Sequence, residues 1–349
     1  MTTMTAAVLR GHGGPDMLDV RTDWQAPVAG TGQVLVRVTA AAMNNTDIWT
    51  REGAYGLPGD PDASAGWRGE LSFPRVQGGD IAGVVADVGT GVPAGWRNCR
   101  VLVDPALYAH EGDDAPPAGL LGSEADGGFA DYVAVAADQV HDMSDSPLSD
   151  EELACLPVAY GTALGMLERA GIEPGETVLV TGASGGVGLA LVQLAAAREA
   201  RVIALTSGAK QDAVRAAGAT SVVSRETGDL TDAVAAAAGG QHLDAVADVA
   251  GGAFLDQLMP LVRDDGRWVI AGAVAGPVVT VDLRRLYLHN RQLIGSSMHT
   301  RAHFRRLARI AANGTLRPRI AARYPLTDIH HAQQAFLNHH HVGKIVLTV

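Results

Sequence analysis

The residues whose types and spacing best suit them to chemistry are Ala183-Ser184-Gly185-Gly186-Val187-Gly188. They come after the apolar run Val178-Leu179-Val180 and lead into a second, Leu189 to Ala197. A buried strand, a tight glycine turn and a helix start together hold a dinucleotide pyrophosphate, because the free N–H groups and positive dipole end of the helix face the phosphates. Gly185 would let the backbone approach the pyrophosphate, and Gly188 would let the helix pack closely on the strand. The fingerprint is A-x-G-x-x-G, with Ala183 at its first position. A further apolar stretch, Arg201 to Thr206, supplies the context such a turn requires.

The residues just past Thr206 select the cofactor. An NAD site usually carries Asp or Glu about 20 residues past the glycines, hydrogen-bonded to the ribose 2′-hydroxyl. Here Thr206 leads into Ser207, Gly208, Ala209 and Lys210, with no acid. A hydroxyl and a cation suit a 2′-phosphate, which an Asp would repel, so NADPH is the expected cofactor. The bland alternative for Lys210 is a solvated residue on the surface of the next helix.

The elements that must position these groups fall into three stretches. Residues 1–150 read as β-rich: Val34 to Val38 alternates apolar and polar, and Ile81 to Val88, Arg100 to Val103 and Tyr132 to Val135 read as further strands. Gly56 to Arg75 and Asp104 to Gly128 read as long loops, the kind that shape a pocket or move. From Ser149-Asp150-Glu151-Glu152, a helix start, residues 151–298 alternate strand and helix, which predicts a doubly wound parallel sheet with right-handed crossovers. Residues 299–349 hold a helix, the turn Asn313-Gly314 and a final strand from Lys344, and they resemble the first stretch. The nucleotide-binding domain is therefore expected as an insertion between two parts of a catalytic domain. Val278-Val279-Thr280-Val281 is expected as an apolar strand able to pair across a two-fold axis.

Bulk properties narrow the function further. A chain of 349 residues can bury two cores. Net charge −11 with pI about 5.5 speaks against nucleic acid or an anionic membrane as partner. No apolar run approaches the roughly 20 residues of a membrane span, and Met-Thr-Thr-Met is followed by no basic-then-apolar signal pattern. Two cysteines, Cys99 and Cys155, cannot form a disulfide framework or a thiolate zinc cluster. The expectation is a cytoplasmic enzyme with a small-molecule substrate. Adjacent His339, His340 and His341, with His330 and His331, would point in different directions on a helix, and no metal site is assigned to them.

Over nearly its full length the chain resembles the medium-chain dehydrogenase/reductase superfamily, most closely its zinc-free quinone oxidoreductase branch. The resemblance is carried by Gly13-Gly14-Pro15, Asn44-Asn45-Thr46-Asp47, Arg51-Glu52-Gly53-Ala54-Tyr55, Gly78-Gly79-Asp80-Ile81-Ala82-Gly83 and Gly127-Gly128-Phe129-Ala130-Asp131-Tyr132. Gly161-Thr162-Ala163, the glycine turn, Asp248-Val249-Ala250-Gly251-Gly252 and Gly343-Lys344-Ile345-Val346-Leu347 complete it in order. It implies a Rossmann domain inserted into a GroES-like catalytic domain, and a homodimer. The catalytic zinc ligands of related alcohol dehydrogenases fall on Asn44, Gly79 and Pro157, none of which is a thiolate, imidazole or carboxylate. Residues 104–128 contain none of the four cysteines of the structural zinc lobe.

Without a Lewis acid to polarise a hydroxyl, hydride delivery to an electrophilic π-system remains. The resemblance implies NADPH between the domains and a quinone or conjugated carbonyl stacked on its nicotinamide. Asn44, Thr46 and Tyr55 are then the donors to the developing anion. Asp47 and Arg51 would hold their helix in place. Many quinone reductases carry Tyr where this chain has Trp49, which either shapes a flatter pocket or is simply a buried aromatic. Thr162, Ala250, Gly251, Gly272 and Lys344 are carried over as cofactor contacts. Arg225, after Ser224, either clamps a 2′-phosphate or faces solvent. The alternatives to a quinone reductase are an enoyl or alkenal double-bond reductase and a non-catalytic NADPH-binding relative.

Overall fold

The computed structural model describes residues 2–57 and 59–349. They divide into two compact units: one runs to Val158 and resumes at Thr300–Val349, and the other is Ala159–His299.

The second unit is built on six parallel strands in the order Ser221–Ser224, Arg201–Thr206, Thr177–Val180, Leu243–Asp248, Val262–Ile270 and Gln292–Gly295. Numbered in chain order this is 3-2-1-4-5-6, the doubly wound arrangement predicted, with its switch point between the first and fourth strands. Thr177–Val180 is buried at every position, because helices cover both faces of such a sheet and leave no room for polar alternation. Leu179, Ile203, Val246 and Trp268 from four strands meet Val234 and Leu258 from the helices in one core.

The first unit is mostly antiparallel. Its seven-stranded sheet runs Val140–Asp142, Arg100–Val103, Asp80–Val88, Gln33–Ala42, Lys344–Thr348 and Ile320–Pro325, with Tyr132–Ala136 also paired to Gln33–Ala42. The last strand therefore lies beside residues from the chain's beginning: Leu347 pairs with Ala41, and Met43 N–H donates to the Ile345 carbonyl. That pairing brings Lys344 to the end of Gln33–Ala42, where the helix Asn45–Glu52 starts.

Two expectations need correction. The predicted loop from Asp104 to Gly128 contains a hairpin, Ala106–Tyr108 paired with Pro117–Leu120, anchored by the Tyr108 hydroxyl donating to Asp104 at 2.6 Å. Val278–Val281 is not a strand; the edge of the six-stranded sheet is Gln292–Gly295. Gly276 and Pro277 do turn the chain there, but Val278 is 91% exposed and has no strand to pair with. Within the predicted loop from Gly56 to Arg75, Pro58 lies outside the described residues.

Candidate active site

The glycine turn sits at the carboxyl end of the first parallel strand. Gly182 takes φ +57°, which reverses the chain, and Gly185 caps the helix Gly186–Ala196. Leu189 N–H is the first to reach back to a carbonyl, that of Gly185 at 2.9 Å, so the N–H groups of Gly186, Val187 and Gly188 precede the helical ladder. The glycines differ in what they avoid. A Cβ on Gly188 would lie 2.1 Å from the Gly182 carbonyl oxygen and 2.7 Å from Ala183 Cα. A Cβ on Gly185 would meet only the Gly182 oxygen, at 3.6 Å. Gly188 serves helix packing, whereas Gly185 leaves space that the protein itself does not fill. Ala183 is buried and Ser184 half-buried beside them.

Across the switch point, the loop after Leu243–Asp248 is held by one buried carboxylate. Asp248 Oδ1 accepts the Thr181 hydroxyl at 2.5 Å and the N–H groups of Ala250 and Gly251 at 2.9 Å each, while Oδ2 accepts Trp268 Nε1 at 3.0 Å. Thr181 Oγ in turn accepts from Val249 and Ala250. Gly251 has φ +66°, and a Cβ on Gly272 would lie 2.7 Å from the Val249 carbonyl. The positions carried over as Ala250, Gly251 and Gly272 thus form one packed surface beside the glycine turn. Thr162 is buried, its hydroxyl against Met298 Sδ at 3.6 Å.

The end of the second strand holds a group that the sequence alone does not single out. Parallel pairing sets Thr206 opposite Ser224, and Arg225 N–H donates to the Thr206 carbonyl at 2.8 Å. Ser207, Lys210 and Arg225 are thereby gathered at one end of the sheet, and the neighbouring Arg225 charge adds to burial in lowering the Lys210 pKa. Glu226 comes with them: its Oε2 accepts the Gly208 N–H at 3.1 Å and the Ser224 hydroxyl at 3.4 Å.

In the first unit a buried polar cluster centres on Asn44 and Lys344. The Lys344 ammonium is buried and donates to the Met43 carbonyl (2.5 Å), Asn44 Oδ1 (2.6 Å) and Asp80 Oδ2 (2.8 Å). Asn44 Nδ2 donates to Asp80 Oδ2 at 2.8 Å and to the Ala42 carbonyl at 3.3 Å. Asp80 Oδ1 accepts the Val158 N–H at 2.7 Å. Both N–H bonds of the Asn44 amide and its oxygen are engaged, so this side chain braces the cluster. The three ammonium protons of Lys344 are likewise met by protein acceptors.

Asp47 completes the N-terminus of the helix Asn45–Glu52, its Oδ2 accepting the Asn44 N–H at 2.7 Å. Burial pushes its pKa up to about 7, against the opposing pull of that N–H and of Lys344 and with a further push from Asp80. Arg51 is buried and donates to Gln333 and to the Gly13 carbonyl, tying the helix end to its surroundings. Thr46 Oγ is buried beside the Tyr55 phenol, with no partner at full hydrogen-bond geometry. Burial raises the Tyr55 phenol well above its ordinary range, with a smaller opposing pull from Thr46 and pushes from Asp47 and Glu124. The Trp49 and Tyr55 rings meet edge to face at 5.5 Å, and Trp49 also packs on the core of this unit.

The positions of a catalytic zinc are filled by other chemistry. Asn44 is bonded to an ammonium, and a Cβ on Gly79 would already touch the Leu121 carbonyl at 3.2 Å. Pro157 offers no ligand atom. Nearby Cys155 is no substitute: burial pushes its thiol up to about 12, and Sγ donates to the Glu151 carbonyl. These residues do not fit zinc, which binds thiolate, imidazole or carboxylate. Among the described residues no group of three or more His, Cys, Asp or Glu could hold a metal ion.

Comparison with known proteins agrees with this architecture. Residues 30–145 match the model of the alcohol dehydrogenase GroES-like domain, and residues 186–313 that of the zinc-binding dehydrogenase family. A solved structure from Sinorhizobium meliloti 1021, described provisionally as an alcohol dehydrogenase, is 46% identical, with 100% of this chain and 97% of the other covered at a TM-score of 0.96. Acryloyl-coenzyme A reductase of Metallosphaera sedula is 29% identical, covering 99% of this chain and all of its own. Quinone oxidoreductase of Sus scrofa is 27% identical, covering 99% of this chain and 97% of its own. The chain belongs to the medium-chain dehydrogenase/reductase superfamily and is an oxidoreductase of the nicotinamide-using kind.

Proposed function

We propose that this enzyme is an NADPH-dependent, zinc-independent reductase that transfers hydride to a quinone or a related conjugated carbonyl. The observation that carries the reading is the Lys344 ammonium bonded to Asn44 and Asp80, where related zinc enzymes hold their metal. A cation already occupies the charge balance of that cluster, and a divalent ion beside it would be repelled. The acceptor must then be electrophilic on its own, which quinones and enones are.

A bound nicotinamide supplies the hydride. The N–H groups of Gly186, Val187 and Gly188 hold the pyrophosphate, and Ser207, Lys210 and Arg225 the 2′-phosphate. Thr46 Oγ, buried beside the Tyr55 phenol and held by no partner at full hydrogen-bond geometry, is the donor available to the oxygen on which negative charge develops. Tyr55, kept protonated by burial, can give up a proton only as the product anion forms beside it. Asn44, Asp80 and Lys344 position the start of the helix that carries Thr46. A second reading, reduction of an enoyl double bond, is favoured by the acryloyl-coenzyme A reductase relative and uses the same groups.

The chain is proposed to act as a homodimer in the cytoplasm. Exposed apolar side chains gather along one segment at the sheet edge, Val278, Leu283, Tyr287, Leu288 and Leu293 among them. Among the described residues no helix is long and apolar enough to cross a membrane. The test of function is NADPH oxidation against 1,4-benzoquinone, 9,10-phenanthrenequinone and a simple enone, with NADH in parallel. Quinone turnover with NADPH preferred is expected. Turnover of the enone alone would assign double-bond reduction, and activity appearing only with added zinc would overturn the reading.

A further inference from the structure

We propose that Glu226 occupies the 2′-phosphate subsite when no cofactor is bound and sets how strongly this enzyme prefers NADPH over NADH. The inference rests on the reading above that Ser207, Lys210 and Arg225 receive a 2′-phosphate. Its basis is the arrangement at the carboxyl ends of two adjacent strands. Glu226 Oε2 takes the Gly208 N–H at 3.1 Å and the Ser224 hydroxyl at 3.4 Å, and Glu226 N–H donates back to Ser224 Oγ at 3.2 Å. An N–H and a hydroxyl beside Lys210 and Arg225 are what a phosphate monoester needs, and the Glu226 carboxylate already takes that N–H and that hydroxyl.

The carboxylate is not a fixed structural anchor. Glu226 and Gly208 are exposed, whereas Lys210 is only half exposed. Its side chain can rotate into solvent without leaving a buried group unpaired. A 2′-phosphate brings nearly two negative charges to donors that a single charge holds. It therefore displaces the carboxylate, but against a competing anion that stays tethered nearby. A ribose 2′-hydroxyl carries no charge and meets no such opposition, and it can donate to Glu226 in place. The effect of Glu226 falls on the phosphorylated cofactor, narrowing a preference that Lys210 and Arg225 create.

The test measures binding, by calorimetric titration of adenosine 2′,5′-bisphosphate and adenosine 5′-monophosphate into wild type and Glu226→Gln. Wild type is expected to favour the bisphosphate, and E226Q to tighten the bisphosphate by about tenfold while the monophosphate changes by less than about twofold. Unchanged thermal melting of E226Q, expected for an exposed residue, shows that the fold is retained. If wild type favours the bisphosphate but E226Q leaves the ratio of the two affinities unchanged, the role of Glu226 is overturned and the NADPH reading stands. If wild type favours the monophosphate and E226Q weakens it, Glu226 is a ribose acceptor of an NAD site, and both fall. If wild type shows no preference and E226Q creates one for the bisphosphate, the role of Glu226 is supported and the NADPH reading fails.

Discussion

Asp47 shows how far a tertiary setting can move a single group. Its carboxyl is fully enclosed and faces the Asn44 N–H, the Lys344 ammonium, the Asp80 carboxylate and the Tyr55 phenol. With its pKa raised to about 7 from 3.8, the folded protein holds a proton that the unfolded chain releases across that interval. The contribution of this group to stability is therefore full below about pH 4 and falls as pH rises towards 7, at about 1.4 kcal/mol per unit while the folded state alone keeps the proton. Asp47→Asn should remove this slope, so urea melts of variant and wild type should diverge by about 3 kcal/mol between pH 4.5 and pH 8. Parallel curves would mean that Lys344 keeps Asp47 charged. Thr46 invites a different test. If its hydroxyl is the oxyanion donor, Thr46→Val should lower kcat about a hundredfold with little change in KM. A rise in KM with kcat unchanged would make it a pocket wall.

The legibility of these residues differs for a physical reason. Thr46 and Asp47 stand in one short motif, so their place at the helix start is readable in the sequence, whereas the burial and the charges that shift Asp47 are not. Lys344 is expected at the cofactor because its motif resembles the family's. Its bonds to Met43 and Asn44 cross some 300 positions and depend on strand pairing. Asp80 enters only as part of a motif, although an acid opening the apolar strand Asp80–Val88 is a signal of a buried partner. Asp248, an acid closing another buried strand, carries the same signal.

At the scale of elements, the strand–turn–helix unit makes two glycines separable. Gly188→Ala would drive a Cβ into the Gly182 carbonyl at 2.1 Å, forcing the helix off its strand. A cost of about 3 kcal/mol or an insoluble product is expected. Gly185→Ala meets only ordinary contact at 3.6 Å, and its φ of −76° suits any residue. It should melt within a few degrees of wild type yet, on the proposed reading that the turn receives the pyrophosphate of NADPH, bind that cofactor at least about tenfold more weakly, because the new methyl enters this space. Fluorescence titration beside thermal melting checks both, and normal NADPH binding by the Gly185 variant would remove the turn from the cofactor site. The unit is readable because its signals are local: an apolar run, glycines at fixed offsets and a second apolar run. The hairpin within 104–128 is not, since Pro116-Pro117 reads as loop and only pairing across Ala106–Tyr108 makes it strand.

At the scale of the molecule, the sheet of the second unit ends in Gln292–Gly295, with one edge unpaired in the single chain. An open edge beside exposed Leu288 and Leu293 favours a second copy. Light scattering should give twice the 36.1 kDa chain mass, and Leu288→Arg with Leu293→Glu should give the monomer. A monomeric wild type would leave that apolar surface without the proposed partner.

The sequence by itself determined the doubly wound domain, its insertion into a β-rich one and the glycine turn, because strand and helix periodicities and turn glycines are written within short windows. It also determined that Asn44, Gly79 and Pro157 cannot supply zinc ligands, since that depends on residue type alone. Only the tertiary structure decided that Lys344 engages Asn44 and Asp80 and that Glu226 takes the Gly208 N–H. Lys344 reaches Asn44 because the last strand pairs with an early one, and Glu226 reaches Gly208 because two parallel strands end in register. Contacts of that kind are set by how strands pair across the chain, which no local pattern of residues encodes.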